Sequence, residues 1–125
     1  MYSILIIDDE PIVKIALRSI LPWEEHGFFI CGTASNGLEA LSLIEKHHPD
    51  VIITDLKMPE MNGIEALKEI RKKDTNIPII MQSAYAFEND MEAARAAGSN
   101  GFITKPINIV ELKKTISKFL PQIIW

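Results

Sequence analysis

Apolar and polar positions along this chain follow two rhythms. Five short runs, Ser3 to Asp8, Phe28 to Ala34, Val51 to Thr54, Ile77 to Gln82 and Gly101 to Thr104, are apolar enough to be buried strands, most of them rich in β-branched residues. Between them apolar residues recur at helical spacing. Pro11 to Leu21 carries Ile12, Val13, Ile15, Ala16, Leu17, Ile20 and Leu21 as a wide apolar face, with Lys14 and Arg18 on the wet side, and Pro22 ends it. Leu38 to His47 follows an Asn36-Gly37 turn and presents Leu38, Leu41 and Ile44 beside Ala40. Ile64 to Lys73 buries Ile64, Leu67 and Ile70 and exposes Glu65, Lys68, Glu69 and Lys72 as helix-spaced opposite charges. Glu88 to Ala97 is alanine-rich and closed by Gly98, and Ile109 to Leu120 shows Val110, Leu112, Ile116, Phe119 and Leu120. The segment PWEEHG is expected as a loop.

Five strands alternating with five helices predict an α/β domain. Its sheet is parallel and covered on both faces, because right-handed crossovers lay helices on each side. The expected strand order is 2-1-3-4-5, the domain covers residues 1–121, and residues 122–125 are an apolar tail that the pattern does not explain.

The strand ends carry the candidate chemistry. Asp8 and Asp9 follow the first strand and Asp55 the third, while Ser83 follows the fourth and Lys105 the fifth. A lone Asp after a strand is ordinarily a cap for the next helix or turn. Here five such residues are expected to converge, since ligands of open parallel sheets bind outside the carboxyl ends of the strands.

Composition narrows the field. The chain has 125 residues, 47% hydrophobic and 24% charged, enough for one real core. The net charge of −4 argues against phosphate-backbone binding by this domain. No run is long enough to span a bilayer, and no signal peptide is evident, so a cytoplasmic location is expected. Cys31 is alone and sits in an apolar segment, as a packed thiol would.

Three carboxylates within about 5 Å repel by roughly 3 kcal/mol per pair at an effective dielectric near 20. Such a pocket calls for a divalent cation, and its oxygen-only ligands describe Mg²⁺ rather than zinc. His47 and His48 diverge at a helix end and His26 lies in a loop, which leaves them structural or solvated roles. A carboxylate beside a metal, an ammonium and a hydroxyl makes a phosphoryl-transfer site: Asp55 attacks phosphorus, while the metal and Lys105 neutralise the transferring oxygens.

The residues DD after the first strand, D-x-x-M-P-x-x-x-G from Asp55, Ser83-Ala84 and Lys105-Pro106 resemble the response-regulator receiver domains of two-component and phosphorelay systems, over essentially the whole chain. The resemblance implies a flavodoxin-like fold with Asp55 as phosphoacceptor and Mg²⁺ held by Asp9, Asp55 and the backbone carbonyl of Lys57, with Asp8 acting through water. It also implies Ser83 as switch hydroxyl, Phe102 as switch aromatic and Lys105 as phosphoryl ligand. Lys57 and Tyr85 occupy positions that tune hydrolysis, and the Lys105-Pro106 bond should be cis. The implied partners are a sensor histidine kinase or phosphotransfer protein and an effector reached through the fourth helix, fifth strand and fifth helix, with phosphorylation-dependent homodimerisation a further expectation. The first half looks like receivers attached to AraC-type DNA-binding domains, the second like receivers fused to hybrid sensor kinases. No effector follows the fifth helix, so the expectation is a free-standing receiver, a fragment or a recombined chain.

Three other readings compete. A haloacid-dehalogenase-type phosphatase would place its nucleophile in D-x-D on the first strand and its paired acids late, the reverse of the order here. A dinucleotide-binding domain would need glycines where Asp8-Asp9-Glu10 stands. A scaffold that has lost phosphorylation would not be expected to keep all five key residues.

Overall fold

The strand β1 (Tyr2–Ile7) shows why this sequence makes a two-sided sheet. Ile4 and Ile6 pack into one core with Leu17, Phe28, Val51 and Ile53, while Leu5 and Ile7 pack into a second with Ile52, Leu67, Ile79 and Met81. Side chains alternate across a strand, so both faces of β1 must be covered, and each fully buried Ile or Leu is worth about 1.5 to 3 kcal/mol. The structure, a computed structural model, describes residues 1–58, 61–84 and 87–125. After β1 come α1 (Pro11–Ser19), β2 (Phe28–Ala34), α2 (Gly37–His47), β3 (Val51–Asp55), α3 (Gly63–Lys73), β4 (Ile79–Ser83), α4 (Glu88–Ala97), β5 (Gly101–Thr104) and α5 (Ile109–Phe119). All strand pairs are parallel and the order is β2-β1-β3-β4-β5, as the alternation predicts.

Several local expectations are corrected. The PWEEHG segment is not a plain loop: Trp23–His26 form a 3-10 turn that ends at Gly27, whose φ of 86° suits glycine. Leu38 is 53% exposed. Covering an edge strand, α2 needs only a narrow stripe, made by buried Ala40 and half-buried Leu41, Leu43 and Ile44. Val110 is likewise exposed, and α5 buries Leu112, Thr115 and Ile116 instead. On α1 only Leu17 is buried; Ile12 and Ile15 are 73% and 63% exposed.

Two helix ends set the geometry of the site. Asn62 and Glu65 form a capping box at the start of α3. The next residue, Gly63, donates its N–H to the Leu56 carbonyl at 2.9 Å, and a Cβ there would stand 2.1 Å from the Asp55 carbonyl oxygen. Any side chain would push α3 off the loop that follows Asp55. At the C-terminus of α4, Gly98 has a φ of 112° and its carbonyl accepts from Arg71 Nε and Nη2 at 3.1 and 2.9 Å. Arg71 Nη2 also reaches Asn100 Oδ1 at 2.7 Å, which ties α3 to the turn before β5.

Residues 122–125 pack on the opposite end of the sheet from Asp55. Trp125 stacks on Phe28 with centroids 5.7 Å apart and donates its indole N–H to Ser117 Oγ at 2.8 Å. Trp23 meets the same Phe28 edge-on at 5.8 Å, and Gln122 hydrogen-bonds the Tyr2 hydroxyl. His26 faces Trp125 there, and His47 and His48 close α2, so the three histidines are remote from the acids.

Candidate functional site

The carboxyl ends of the strands gather one basic and four acidic side chains. Asp8 follows β1, its N–H bonded to the Ala34 carbonyl at 2.9 Å, and Asp55 closes β3. Ser83 closes β4 and is buried; its carbonyl accepts the Lys105 N–H at 2.7 Å, which joins the two strand ends. The Lys105-Pro106 peptide is cis, as expected.

Lys105 Nζ stands 3.0 Å from Asp8 Oδ2, 3.4 Å from Asp55 Oδ1 and 3.4 Å from Glu10 Oε1. Asp55 Oδ1 also accepts the Leu56 N–H at 2.9 Å. Asp8 is fully buried, with Oδ1 accepting from the Glu10 N–H at 2.9 Å and Oδ2 from the Gln82 amide at 3.0 Å.

Burial, and then the neighbouring Asp8 carboxylate, push the Asp55 pKa up to about 6, against the pull of Lys105. At Lys105 burial opposes the charge, but the hydrogen bond to Asp8 and the fields of Asp55, Asp8 and Glu10 outweigh it and raise the pKa. The pocket thus holds more negative charge than its lysine neutralises.

Oxygens of Asp8, Asp9, Glu10 and Asp55 lie within 4.8 Å of one another, two of the residues buried and two exposed. A carboxylate set that opens to water on one side fits Mg²⁺, a hard cation that keeps several waters. Lys57, two residues after Asp55, is exposed. Phe102 is half-buried and lines a cleft of about 260 Å³ with Met91, Ala94 and Lys118, between α4 and α5. Tyr85 lies outside the described residues.

Two residues of the site were not singled out by the sequence. Glu10 stands one residue beyond the Asp pair on the same turn, and that adjacency is its signal. Gln82 lies within the expected fourth strand; its signal is a neutral polar residue that closes an apolar run, and the structure sets it in register with Asp55 on the neighbouring strand. Beside Lys105 opens an apolar groove of about 490 Å³ formed by Ile12, Val13, Ala16, Ile20, Pro106 and Ile107.

Residues 4–117 match the family model described as response regulator receiver domain. The transcriptional regulatory protein HptR of Staphylococcus aureus is 35% identical over 124 residues, which cover 99% of this chain and 48% of that protein. The chain spans about half the length of the curated relatives it matches. Among solved structures, a chain of the CheX-CheY-BeF3-Mg complex from Borrelia burgdorferi superposes with a TM-score of 0.87 at 30% identity, covering 95% of this chain and 89% of that one. The receiver domain of a signal transduction histidine kinase from Syntrophus aciditrophicus gives 0.83 at 31% identity, covering 98% and 92%.

Proposed function

The chain belongs to the response regulator receiver domain family, and from that premise we propose that it accepts a phosphoryl group on Asp55 and changes conformation in response. The observation that carries this reading is the placement of one half-buried lysine between Asp8 and the Asp55 carboxylate. That lysine is where a phosphoryl group on Asp55 would need positive charge.

Ionised Asp55 attacks the phosphorus of a phosphohistidine on a sensor kinase or phosphotransfer protein. A P–O bond forms, the P–N bond breaks, and the imidazole leaves with the electron pair and takes up a proton. With a pKa of about 6, Asp55 is mostly ionised at neutral pH and needs no separate base. Lys105 moves from the carboxylates to the new phosphoryl oxygens, and the Leu56 N–H keeps the remaining Asp55 oxygen in place. Asp8, Asp9, Asp55 and the Lys57 carbonyl are the groups to hold Mg²⁺, which when bound neutralises charge on the transferring oxygens. The groove beside Lys105 and the exposed Ile12 and Ile15 of α1 offer a phosphodonor protein an apolar seat next to the acceptor.

The response runs through Ser83 and Phe102 to the face of α4, β5 and α5. The only buried side chain of α4 is Ala94, so little apolar area holds that helix against the sheet. Effector contact or homodimerisation on this face is the output, in a cytoplasmic signalling protein that turns over only its own aspartyl phosphate. No helix among the described residues is long and apolar enough to cross a membrane. The test is intact mass after incubation with acetyl phosphate and Mg²⁺. One added phosphoryl group is expected, absent with chelator and absent in Asp55→Asn; equal labelling of that variant would refute the assignment.

A further inference from the structure

We infer that Gln82 is a positioning residue of the loaded site: its amide N–H holds Asp8 when Lys105 departs, and its carbonyl oxygen takes a hydrogen bond from water carried on Mg²⁺. The inference rests on the reading of the pocket as a Mg²⁺-assisted phosphoacceptor site. Gln82 is completely buried on β4, in register with Asp55, and its Nε2 reaches across to Asp8 Oδ2 at 3.0 Å. The same oxygen receives Lys105 Nζ at 3.0 Å. Asp8 Oδ2 therefore accepts from both Gln82 and Lys105, and Lys105 is shared with two further carboxylates.

Of these two donors, Gln82 is the one fixed on β4 and would stay if Lys105 left. A fully buried carboxylate oxygen stripped of its donor is strongly disfavoured. With Gln82 in place, transfer of Lys105 to a phosphoryl group leaves Asp8 hydrogen-bonded and in the same orientation. The Asp8 carboxylate accepts only, so the amide nitrogen must face it, and this fixes which end of the amide is the acceptor. That acceptor, Oε1, is the one buried side-chain polar atom without a hydrogen-bond partner among the described residues. Metal-bound water is a donor of the kind it lacks, and groups that orient metal ligands in this way govern metal affinity.

The experiment is Mg²⁺ titration by calorimetry of the wild type, of Gln82→Met, which keeps length without hydrogen bonding, of Asp8→Asn, and of the double variant. It is paired with NMR of the Gln82 side-chain amide, assigned in the wild type through its connection to the Gln82 backbone. We expect Gln82→Met to weaken Mg²⁺ binding by about 10-fold without lowering thermal stability. In the Asp8→Asn background the loss caused by Gln82→Met should shrink without vanishing, because the amide N–H acts through Asp8 and the carbonyl oxygen acts on Mg²⁺-bound water directly. The wild-type amide should be protected from solvent exchange and should shift with Mg²⁺. Unchanged affinity in Gln82→Met, or an amide signal indifferent to Mg²⁺, overturns the inference while leaving the phosphoacceptor reading intact. The NMR arm decides alone if the variant does not fold. A wild type that binds no Mg²⁺ overturns both.

Discussion

Lys105 lies nearer to Asp8 than to Asp55, 3.0 Å against 3.4 Å, so in the unloaded domain the lysine rests chiefly on a carboxylate other than the proposed acceptor. Both acids are buried, and the lysine is the cation that lets them coexist.

Replacing this lysine makes the first prediction. In Lys105→Met the pull that lowers the Asp55 pKa is gone, and the titration midpoint of Asp55 should rise further above about 6. Labelling by acetyl phosphate should fall on the order of 100-fold, the scale seen when a donor to developing charge is removed. Carbon-detected NMR titration and phosphorylation rates measure the two effects; an unmoved midpoint would show that the lysine does not bias Asp55.

The second concerns stability and pH. Asp55 titrates at about 6 when folded, against about 4 for an unfolded aspartate. The folded state therefore binds the proton more tightly. The stability associated with that proton is complete below about pH 4 and is lost as pH rises through about 6. Asp55→Asn removes this penalty and should stabilise the metal-free domain by about 1 to 3 kcal/mol at pH 7.5, with no gain at pH 4. Urea denaturation at the two pH values checks the sign, and Mg²⁺ at pH 7.5 should narrow the difference.

A third prediction follows from Arg71, whose guanidinium holds the Gly98 carbonyl and Asn100 at one end of α4. Upon addition of Mg²⁺ and beryllofluoride, amide hydrogen exchange should change more at residues 88–93 than at residues 94–98, because the helix is anchored at its C-terminus. Arg71→Ala should cost about 1 to 3 kcal/mol and extend the change through Gly98. Identical exchange over residues 88–102 with and without beryllofluoride would show binding without a switch.

The fourth addresses lifetime. Lys57 is exposed beside Asp55, and neither lysine at that position nor tyrosine at position 85 is suited to orienting an attacking water. The aspartyl phosphate should be long-lived, and Lys57→Asn combined with Tyr85→Glu should shorten it. A decay rate that the pair leaves unchanged would refute this account.

Strand identity and order were legible because short continuous apolar runs separated by helices admit few sheets, and the acids, Ser83 and Lys105 are placed by their position at strand ends. Other features depend on depth and direction, which spacing does not encode. Ile12 and Ile15 stand five and two residues from Leu17, off the stripe that Val13, Leu17 and Ile20 turn to the core, and they face outward although they are as apolar as that stripe. Gln82 reads as strand filler until its amide is seen crossing β3 to Asp8. Residues 122–125 are apolar without period, and only the three-dimensional proximity of Phe28 gives Trp125 its place.

That placement divides the optical behaviour of the molecule from its chemistry. The two tryptophans, Trp23 and Trp125, both lie against Phe28 at the start of β2, and the acid pocket occupies the other end of the strands. Indole emission is therefore a gauge of whether the domain is folded, read at an end of the sheet that neither cation nor phosphoryl group touches. Denaturation curves recorded by fluorescence with and without ligand should therefore share one native baseline, so that a change in midpoint reads the effect of binding on stability.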